Sequence, residues 1–569
     1  MGKLKKIIYE NWELLGSLAI FWSTMILMLS YSILYLNEGH LVYSLDDAYI
    51  HMAMAKNFSQ KGVWGITDAG FSSTSSSILY TLLLTLIFLF GPNEVAPLII
   101  NLACASLLIW FVYYVLKTKY NFPDYGVFVC LLLIIFFIPL PFLIFTGMEH
   151  TIQIFIDIIF IYLAVNILCD EKILEKRIFS SNEVEKLFSI QDKLFLIATP
   201  LVTLVRFEGM FLIVVISALF LIRKKYIYAL IITGLGFLPI IIFGLISMNF
   251  GWYFFPNSVI LKGESIDFFS INGISEILLT FIDDISDNLH ITVLLISAVI
   301  IFIFYYFKEK KIWKESSVIA VIFIFVTLLH LILIGATIEN QNLSRYDGYL
   351  VALGILVLFL SVKDKLPQKL ARSHLNVYFA KIKENYRRNL VPLVGGSLVL
   401  FFLFFSFVPR SYTLIKDSPQ ASNNIYEQPY HIGLFLDKYY DGECVAANDI
   451  GAINFHADIE CLDLRGLGTL SVAKARLDNK MGTRFVSKEV EKRDCKIAVI
   501  FEDKDYGYGI PDEWIKAGEW EVKNDVVLGD DTISFWAVDP SEYDDLIENL
   551  KDFEDKLPDT VIQSGNYTL

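Results

Sequence analysis

Apolar segments long enough to cross a lipid bilayer recur along the first 410 residues of this chain. They lie at 13–35 and then at about 73–91, 95–116, 125–145, 149–168, 194–222, 226–248, 288–307, 316–335, 348–362 and 391–409. A helix that crosses a bilayer needs about 20 mostly apolar residues. With 55% hydrophobic residues and a mean hydropathy of +0.54, the chain is too apolar for a soluble globular protein. We therefore predict a polytopic α-helical membrane protein with about 11 apolar segments.

The positions of lysine and arginine predict which loops are cytoplasmic. Lys3, Lys5 and Lys6 precede the first segment, which has no signal-peptide cleavage site, so we expect the N-terminus in the cytoplasm. Further basic loops lie at 117–119, 170–193, 223–225, 308–314 and 363–388. All of them are cytoplasmic if 194–222 crosses outward and returns, and if 73–91 is a half-helix that does not span. The C-terminus of this multi-pass plasma-membrane protein is then outside.

The composition changes at about residue 410. The remaining residues include 32 acidic and 17 basic ones, so essentially the whole net charge of -14 lies there. Runs typical of strands and of helices alternate in this part, with strands at 444–449, 496–503 and 532–538 and helices at 430–440 and 541–556. We predict a transmembrane domain at 1–409 and a soluble α/β domain at 410–569 on the outer side. Its acidity is more typical of a solvated surface than of a binding site.

The cysteines and common catalytic motifs indicate little. Cys444 and Cys461 could form a disulfide on the outer side, and no spacing matches a zinc site. No Walker loop, Rossmann glycine pattern, HExxH or GxSxG string occurs. This disfavours nucleotide-driven transport and hydrolase chemistry of the soluble type.

Polar residues from five separate loops converge on the outer side in this topology. They are Asp46, Asp47, Tyr49 and His51; Glu149 and His150; Arg206 and Glu208; Asn257 and Lys262; and Arg345 and Asp347. Charged groups are costly to hold near hydrocarbon, so this convergence indicates a site. Asp46 and Asp47 are the first candidates for catalysis, because a partly desolvated carboxylate beside another one has a raised affinity for protons.

The order of several short strings resembles that of a known family. The strings are DDAYI, GVWGI, SSTSSSILY, GMEH, LVRFEG, FPNSVILKG and SRYDGYL. Together they resemble the GT-C superfamily of integral-membrane glycosyltransferases, and most closely the polyprenyl-phosphate-sugar-dependent members that include arabinofuranosyl- and mannosyltransferase-like proteins. The resemblance covers about 1–410 and reappears faintly in NDIGAINFHADIECLDLRGLG. Two strings depart from the family pattern, since RFEG stands for an RPEG-like string and GMEH for GMET.

The resemblance implies a transferase with a lipid-linked sugar donor on the outer leaflet. Its first-loop acidic pair corresponds to Asp46 and Asp47, and its second-loop acidic residue to Glu149. One aspartate would accept the proton of the acceptor hydroxyl. The other would orient the acceptor or bind a divalent metal, with Glu149 as a further candidate ligand; no cofactor is certain.

The leaving lipid phosphate needs cations, which stabilise developing negative charge in a water-poor site. Arg345 ranks first because a guanidinium matches phosphate oxygens in a bidentate way, followed by Lys262 and Arg206. The remaining candidates for substrate binding are Tyr49, His51, His150, Glu208, Asn257 and Asp347.

We therefore predict an enzyme that moves a sugar from a polyprenyl-phosphate donor to a hydroxyl of a glycan, lipid or protein at the outer membrane face. The bilayer is a partner, and no nucleic acid is expected. Two alternatives stay open: a transporter or flippase for a lipid-linked or polar substrate, and a non-catalytic membrane anchor for a binding domain.

Each candidate also has a purely structural interpretation. The aspartate pair could cap the helix that follows it, because Asp is favoured at that position. Glu149 could cap the next helix, and His51 could be a satisfied core histidine. Arg206 and Glu208 could form a structural ion pair, and Arg345 and Lys262 could be interfacial anchors.

Overall fold

A computed structural model describes residues 6, 9–170, 189–261, 279, 281–283, 285–309, 313–333, 345–363, 366–367, 386–502 and 509–568. Among these residues, six helices are long and apolar enough to cross a membrane, or up to seven if one bent pair counts as a single span. Leu27, Leu230 and Phe401 are 71%, 76% and 61% exposed on such helices. Large apolar side chains exposed in this way require lipid around them. The protein is thus a multi-pass α-helical membrane protein, as predicted.

The first ten described helices run as follows: α1 (Trp12–Tyr31), α2 (Asp46–Lys61), α3 (Ile78–Phe88), α4 (Val95–Tyr114), α5 (Asp124–Phe137), α6 (Leu140–Phe145), α7 (His150–Cys169), α8 (Ile190–Val205), α9 (Gly209–Ile222) and α10 (Tyr226–Asn249). They are followed by α11 (Asn257–Ile260), α12 (Leu289–Glu309), α13 (Glu315–Leu333), α14 (Gly348–Val362), α15 (Tyr386–Ile425) and α16 (His431–Tyr439).

Two irregular segments agree with the sequence prediction. Helix α3 has only 11 residues, about 16 Å of helix against about 30 Å of hydrocarbon, so the stretch at 73–91 is too short to span. The stretch at 194–222 is two helices, α8 and α9, which are separated by Arg206, Phe207 and Glu208. In the described part of the chain, four apolar helices of 10–17 residues accompany the long ones.

The C-terminal part contains the predicted sheet and helices. Its strands are β1 (Cys444–Ala447), β2 (Glu460–Asp463), β3 (Cys495–Ile500), β4 (Ile515–Glu521), β5 (Thr532–Ala537) and β6 (Ile562–Gly565), and the further helices are α17 (Ala452–His456), α18 (Leu470–Leu477), α19 (Thr483–Arg493) and α20 (Tyr543–Phe553). The strand order is β2-β1-β3-β5-β4-β6. Strand β1 is parallel to both its neighbours, and the β3, β5, β4 and β6 pairings are antiparallel.

The disulfide joins Cys444 to Cys495, so the predicted partner Cys461 was wrong. Cys444 lies opposite Cys495 in the β1–β3 register, whereas Cys461 on β2 lies opposite Val445. Successive side chains of a strand point to opposite faces of the sheet, so Cys461 is on the other face from Cys444. Spacing along the chain does not reveal which face a cysteine occupies.

The membrane part and the C-terminal part share a hydrophobic core. Tyr49 and Met52 of α2 belong to the same buried cluster as Ile450 and Phe455 of the C-terminal part. Helix α15 is continuous over 40 residues and runs through the boundary that we predicted at 409/410. The C-terminal part therefore packs directly on α2, the helix that begins with the aspartate pair.

Candidate active site

Asp46 binds the C-terminal part rather than facing a cavity. Its Oδ1 accepts a hydrogen bond from the backbone N–H of Ala452 and its Oδ2 from that of Gly451, both at 2.7 Å. A Cβ at Gly451 would lie 2.1 Å from the backbone oxygen of Asp46, so only glycine fits there. Burial, and then the charge of Asp449, raise the pKa of Asp46 to about 8. Asp46 thus caps α17 and not its own helix.

Asp47 faces the other way and forms an ion pair with Arg345. Arg345 Nη2 donates to Asp47 Oδ2 at 2.5 Å, and the two side chains are 10% and 27% exposed. Both aspartates lie in the first turn of α2, where the helix dipole favours negative charge. Because adjacent residues of a helix point in different directions, the two carboxylates have different partners.

Tyr346 lies between two guanidinium groups. The Cζ of Arg345 is 5.1 Å from the centre of its ring and that of Arg206 is 4.9 Å away. Arg345 Nη2 also donates to the Tyr346 hydroxyl at 3.2 Å. Such cation–π contacts are most favourable where water is excluded, and here they bring two positive charges to one aromatic platform.

Arg206 is held by two carboxylates. Its Nη1 donates to Glu149 Oε1 at 2.6 Å, and its Nε and Nη2 donate to the two oxygens of Glu208 at 3.0 and 2.5 Å. All three side chains are buried. Burial raises the pKa of Glu149, but His51 and Arg206 outweigh it and lower this pKa to about 2. Glu149 and Glu208 therefore neutralise Arg206, and the ion pair considered from the sequence is present.

His51 completes the site on the α2 side. Its Nδ1 is 3.0 Å from Thr81 Oγ1 and 3.2 Å from Ser75 Oγ, and its Nε2 is 3.5 Å from Glu149 Oε2. Ser76 Oγ donates to Glu149 Oε1 at 3.2 Å. Burial lowers the pKa of His51, which favours the neutral ring. His51 thus links α2 to Glu149 within a hydroxyl-rich network.

His150 is a buried imidazole without a hydrogen-bond partner among the described residues. It is 1% exposed, and neither ring nitrogen has a partner there. Its ring stands edge-on against Tyr346, with the centroids 5.5 Å apart. A buried polar group left unsatisfied is costly, so this position suits contact with a ligand.

Three of the residues predicted to bind substrate make contacts within the protein. Tyr49 is fully buried against Phe455. Asn257 donates to the backbone oxygen of Gly466 at 2.8 Å, which ties α11 to the C-terminal part. Asp347 binds Arg410 Nη2 at 2.8 Å and His290 at 2.5 Å, joining the three helices α12, α14 and α15.

Further residues enter this region that the sequence analysis did not select. Tyr346 is the platform for both arginines, and Ser75 and Ser76 contact His51. Tyr346 lies in the string SRYDGYL and the serines lie in SSTSSSILY. The resemblance of these strings to the family was the only signal in the sequence that pointed to them. Lys262, the second predicted phosphate ligand, lies outside the described residues.

The metal ligands considered from the sequence do not form a metal site. No group of three or more His, Cys, Asp or Glu side chains in the described part of the chain could hold an ion. Both Asp46 oxygens accept backbone hydrogen bonds, and Glu149 binds Arg206 and Ser76. Three of these four carboxylate oxygens are already occupied by donors, with Glu149 Oε2 as the exception, so the fit of Asp46 and Glu149 to a divalent cation is poor.

Comparison with known proteins gives limited similarity. Residues 423–536 match a family described as a domain of unknown function, DUF8728. No curated protein matches the sequence. A crystal structure of ArnT from Cupriavidus metallidurans bound to undecaprenyl phosphate is similar with a TM-score of 0.47 and 10% identity, over 92% of this chain and 98% of that chain. A crystal structure of the same protein in the apo state is similar with a TM-score of 0.46 and 12% identity, again over 92% of this chain and 98% of that chain. At these values the similarity assigns neither an activity nor a site residue to this chain.

Proposed function

We propose that the chain is a GT-C-type glycosyltransferase that moves a sugar from a polyprenyl-phosphate donor to an acceptor hydroxyl at the outer membrane face. One observation carries this proposal: the ion pair between Asp47 and Arg345, next to the Tyr346 platform. It combines a carboxylate that can accept a proton with a guanidinium that can bind a phosphate. The string resemblance to the GT-C superfamily supports the same chemistry.

Asp47 is the better candidate for the base. Both oxygens of Asp46 are engaged by the backbone N–H groups of Gly451 and Ala452, so neither is left to accept a proton from an acceptor hydroxyl. Asp47 is 27% exposed. The resemblance left the choice between the two aspartates open, and their different partners favour Asp47.

The reaction balances as a single displacement. The acceptor oxygen forms a bond to the anomeric carbon as the bond from that carbon to the phosphate oxygen breaks. The hydroxyl proton passes to Asp47, and the electron pair of the broken bond stays on the lipid phosphate. Arg345 stabilises the charge that grows there, and such preorganised donors contribute several kcal/mol in a site that excludes water.

Arg345 is better suited than Arg206 to bind the phosphate. Arg206 already makes three hydrogen bonds to two carboxylates, whereas the only described partners of Arg345 are Asp47 and Tyr346, both through Nη2. Its Nε and Nη1 therefore remain as an edge for phosphate oxygens. His150, with both ring nitrogens unsatisfied, lies beside the same platform and is proposed to contact the phosphate or the sugar.

The proposed arrangement in the membrane follows from the charge distribution. The N-terminus is cytoplasmic, the site faces the outer leaflet, and the C-terminal part lies outside above the site. This places the donor lipid among the apolar helices with its phosphate at the level of Arg345. We propose 1–409 as the catalytic domain and 410–569 as the outer domain, joined by α15.

A transfer assay tests the proposal. The purified chain is incubated with a panel of polyprenyl-phosphate monosaccharides and total lipid, glycan and peptide acceptors. We expect release of polyprenyl phosphate with at least one donor, and release by an Arg345→Gln variant should be slower by about 100-fold or more. Failure of every donor, or full release by the variant, would contradict the proposed function.

One observation favours a second candidate, a transporter or flippase. Asp157 lies within the apolar helix α7, is fully buried, and neither carboxylate oxygen has a hydrogen-bond partner in the described part of the chain. Ionisable residues inside membrane helices often belong to ion or substrate pathways. A transporter or flippase that uses Asp157 would lose lipid translocation in vesicles when Asp157→Asn is introduced. A transferase would retain sugar transfer in the same variant.

A further inference from the structure

The loop that follows strand β2 is held in a fixed conformation by one carboxylate. Asp463 Oδ1 accepts from the backbone N–H groups of Arg465 and Gly466 at 2.7 and 3.0 Å, and its Oδ2 accepts from that of Gly468 at 2.6 Å. Asp463 is fully buried. Three hydrogen bonds to one side chain fix the backbone of this loop, which we name the β2 loop (residues 463–468).

The β2 loop is docked on the membrane part beside the candidate site. Asn257 donates to the carbonyl oxygen of Gly466 at 2.8 Å, and Thr74 donates to that of Leu467 at 3.1 Å. Thr74 is adjacent to Ser75, which contacts His51 of the site. The β2 loop therefore borders the site from the C-terminal side.

Arg465 on this loop is a guanidinium without a carboxylate partner in the described part of the chain. Among the described residues, its guanidinium lies against the Phe501 ring, with Cζ 5.8 Å from the ring centroid. It also lies beside Gly529: a Cβ added to that glycine would be 2.9 Å from Arg465 Nη2. Nη2 is enclosed and makes no hydrogen bond, while the residue as a whole is partly exposed. The guanidinium is thus positioned by its walls, and part of it can be reached by a ligand.

Asp449 connects Arg465 to the aspartate pair. Burial raises the pKa of Asp449, Arg465 lowers it and Asp47 raises it. The loops that follow β1 and β2 meet at one edge of the sheet: the Leu464 N–H donates to the Ala447 carbonyl oxygen at 2.9 Å. The Gly451 and Ala452 N–H groups of the first loop bind Asp46, the neighbour of Asp47. A molecule that presents a hydroxyl to Asp47 therefore lies at the same edge of the sheet as the β2 loop and Arg465.

We propose that Arg465 binds an oxyanion, a carboxylate or a phosphate, carried by the acceptor whose hydroxyl faces Asp47. The inference rests on the proposed function for the identity of this molecule as an acceptor. It assigns acceptor recognition to the C-terminal part, while donor recognition belongs to Arg345. The acceptor class is then an acidic, hydroxyl-bearing molecule such as an acidic sugar or a glycerol phosphate unit.

Calorimetric titration of the full chain in lipid nanodiscs tests the inference. The probes are methyl glucuronide for the carboxylate, glycerol 1-phosphate for the phosphate and methyl glucoside as the neutral control. We expect at least one acidic probe to bind, with an affinity at least ten times that of the neutral probe. Arg465→Gln should lower this affinity at least tenfold, and Arg465→Lys should lower it less.

Two further variants separate the site from a general charge effect. Arg493→Gln removes a surface guanidinium of the same part, paired with Glu460 and Glu489, and should leave probe binding unchanged. Gly529→Ala keeps the charge but places a methyl group 2.9 Å from Arg465 Nη2, so it should also weaken binding. Thermal unfolding verifies that each variant is folded.

Equal probe binding by wild type and Arg465→Gln, or no binding of either acidic probe to wild type, would overturn the inference. Binding of undecaprenyl phosphate to the same samples is measured in parallel. Suppose that Arg465→Gln still binds undecaprenyl phosphate and Arg345→Gln does not. A failure of the acidic probes to bind then contradicts only the role of Arg465 in acceptor binding and leaves the proposed function intact. If wild type does not bind undecaprenyl phosphate, the proposed function fails on its own evidence.

Discussion

Asp47 and Arg345 are 298 positions apart in the chain, and their side chains meet at 2.5 Å. The pair joins the start of α2 to the segment that precedes α14. It leaves two guanidinium nitrogens of Arg345 for another anion while it holds Asp47 beside them. The ion pair therefore joins the proposed base, Asp47, to the proposed phosphate ligand, Arg345.

Replacement of Arg345 should affect donor binding more than folding. In Arg345→Gln we expect the affinity for undecaprenyl phosphate to fall at least tenfold and transfer to fall about 100-fold or more, since charge-assisted contacts to a transition state contribute about 3–4 kcal/mol. Arg345→Lys keeps the charge but not the bidentate geometry, so its loss should be intermediate. Binding and initial rates are measured on the same samples. Unchanged affinity in Arg345→Gln would exclude this residue as the phosphate ligand.

The Tyr346 platform should act through its ring rather than through its hydroxyl. Tyr346→Phe keeps both cation–π contacts and removes the hydroxyl that accepts the 3.2 Å hydrogen bond from Arg345. Tyr346→Leu loses the ring and should reduce donor affinity by about 1–2 kcal/mol, the range of such contacts when desolvated. Donor titration compares the two variants. Equal affinity in Phe and Leu variants would show that the ring is not needed.

Much of this site was predictable because the topology determines which loops meet. The predicted crossings place Asp47, Glu149, Arg206 and Arg345 on one side of the membrane, and in the structure direct contacts join these residues and Tyr346. Apolar runs likewise predicted the helices and strands, because periodicity and length are local properties.

The roles of several residues depend on partners that are distant in sequence. Asp46 binds backbone groups 405 and 406 positions away, and no local pattern identifies them. Asp347 is two residues from Arg345 and therefore faces a different helix, where Arg410 binds it. Tyr49 similarly faces the core shared with the C-terminal part. Position in a loop predicts the side of the membrane but not the direction of a side chain.

The folded state, which buries Asp46 against α17, should lose stability as the pH rises. Its pKa is about 8 in the folded chain, against about 3.9 for an unfolded aspartate. The unfolded state therefore binds fewer protons between these values, and stability falls with pH across this window. The stabilisation that protonated Asp46 contributes to the folded state is complete below about pH 4 and is lost as the pH rises through about 8.

Protease release of the C-terminal part between pH 6 and pH 9 measures this dependence. Wild type should become more susceptible as the pH increases, and Asp46→Asn should show a smaller change. Glu94, whose pKa burial raises to about 7, contributes in the same window and remains in the variant. The same slope in both proteins would exclude Asp46 as the titrating group.

The buried ion pair between Asp347 and Arg410 should stabilise the helix bundle. Arg410→Gln leaves the Asp347 carboxylate buried with His290 as its remaining ion-pair partner among the described residues. Removal of one partner of a buried pair costs about 3–5 kcal/mol. Lys416→Gln on the same helix breaks only an exposed contact to Asp417 and should change stability by about 1 kcal/mol or less. Thermal unfolding in detergent compares them. Similar melting temperatures for both variants would contradict the role assigned to Arg410.

The transfer rates of Asp47→Asn and Asp46→Asn, measured side by side with the same polyprenyl-phosphate donor, test the central claim most directly. If Asp47 is the base, Asp47→Asn remains folded, still binds undecaprenyl phosphate and loses about 100-fold or more in rate, the usual contribution of general base catalysis. Asp46→Asn should retain most of the rate per folded molecule while its C-terminal part is more easily released. Normal turnover in Asp47→Asn, or an equal loss in a folded Asp46→Asn, would contradict the claim.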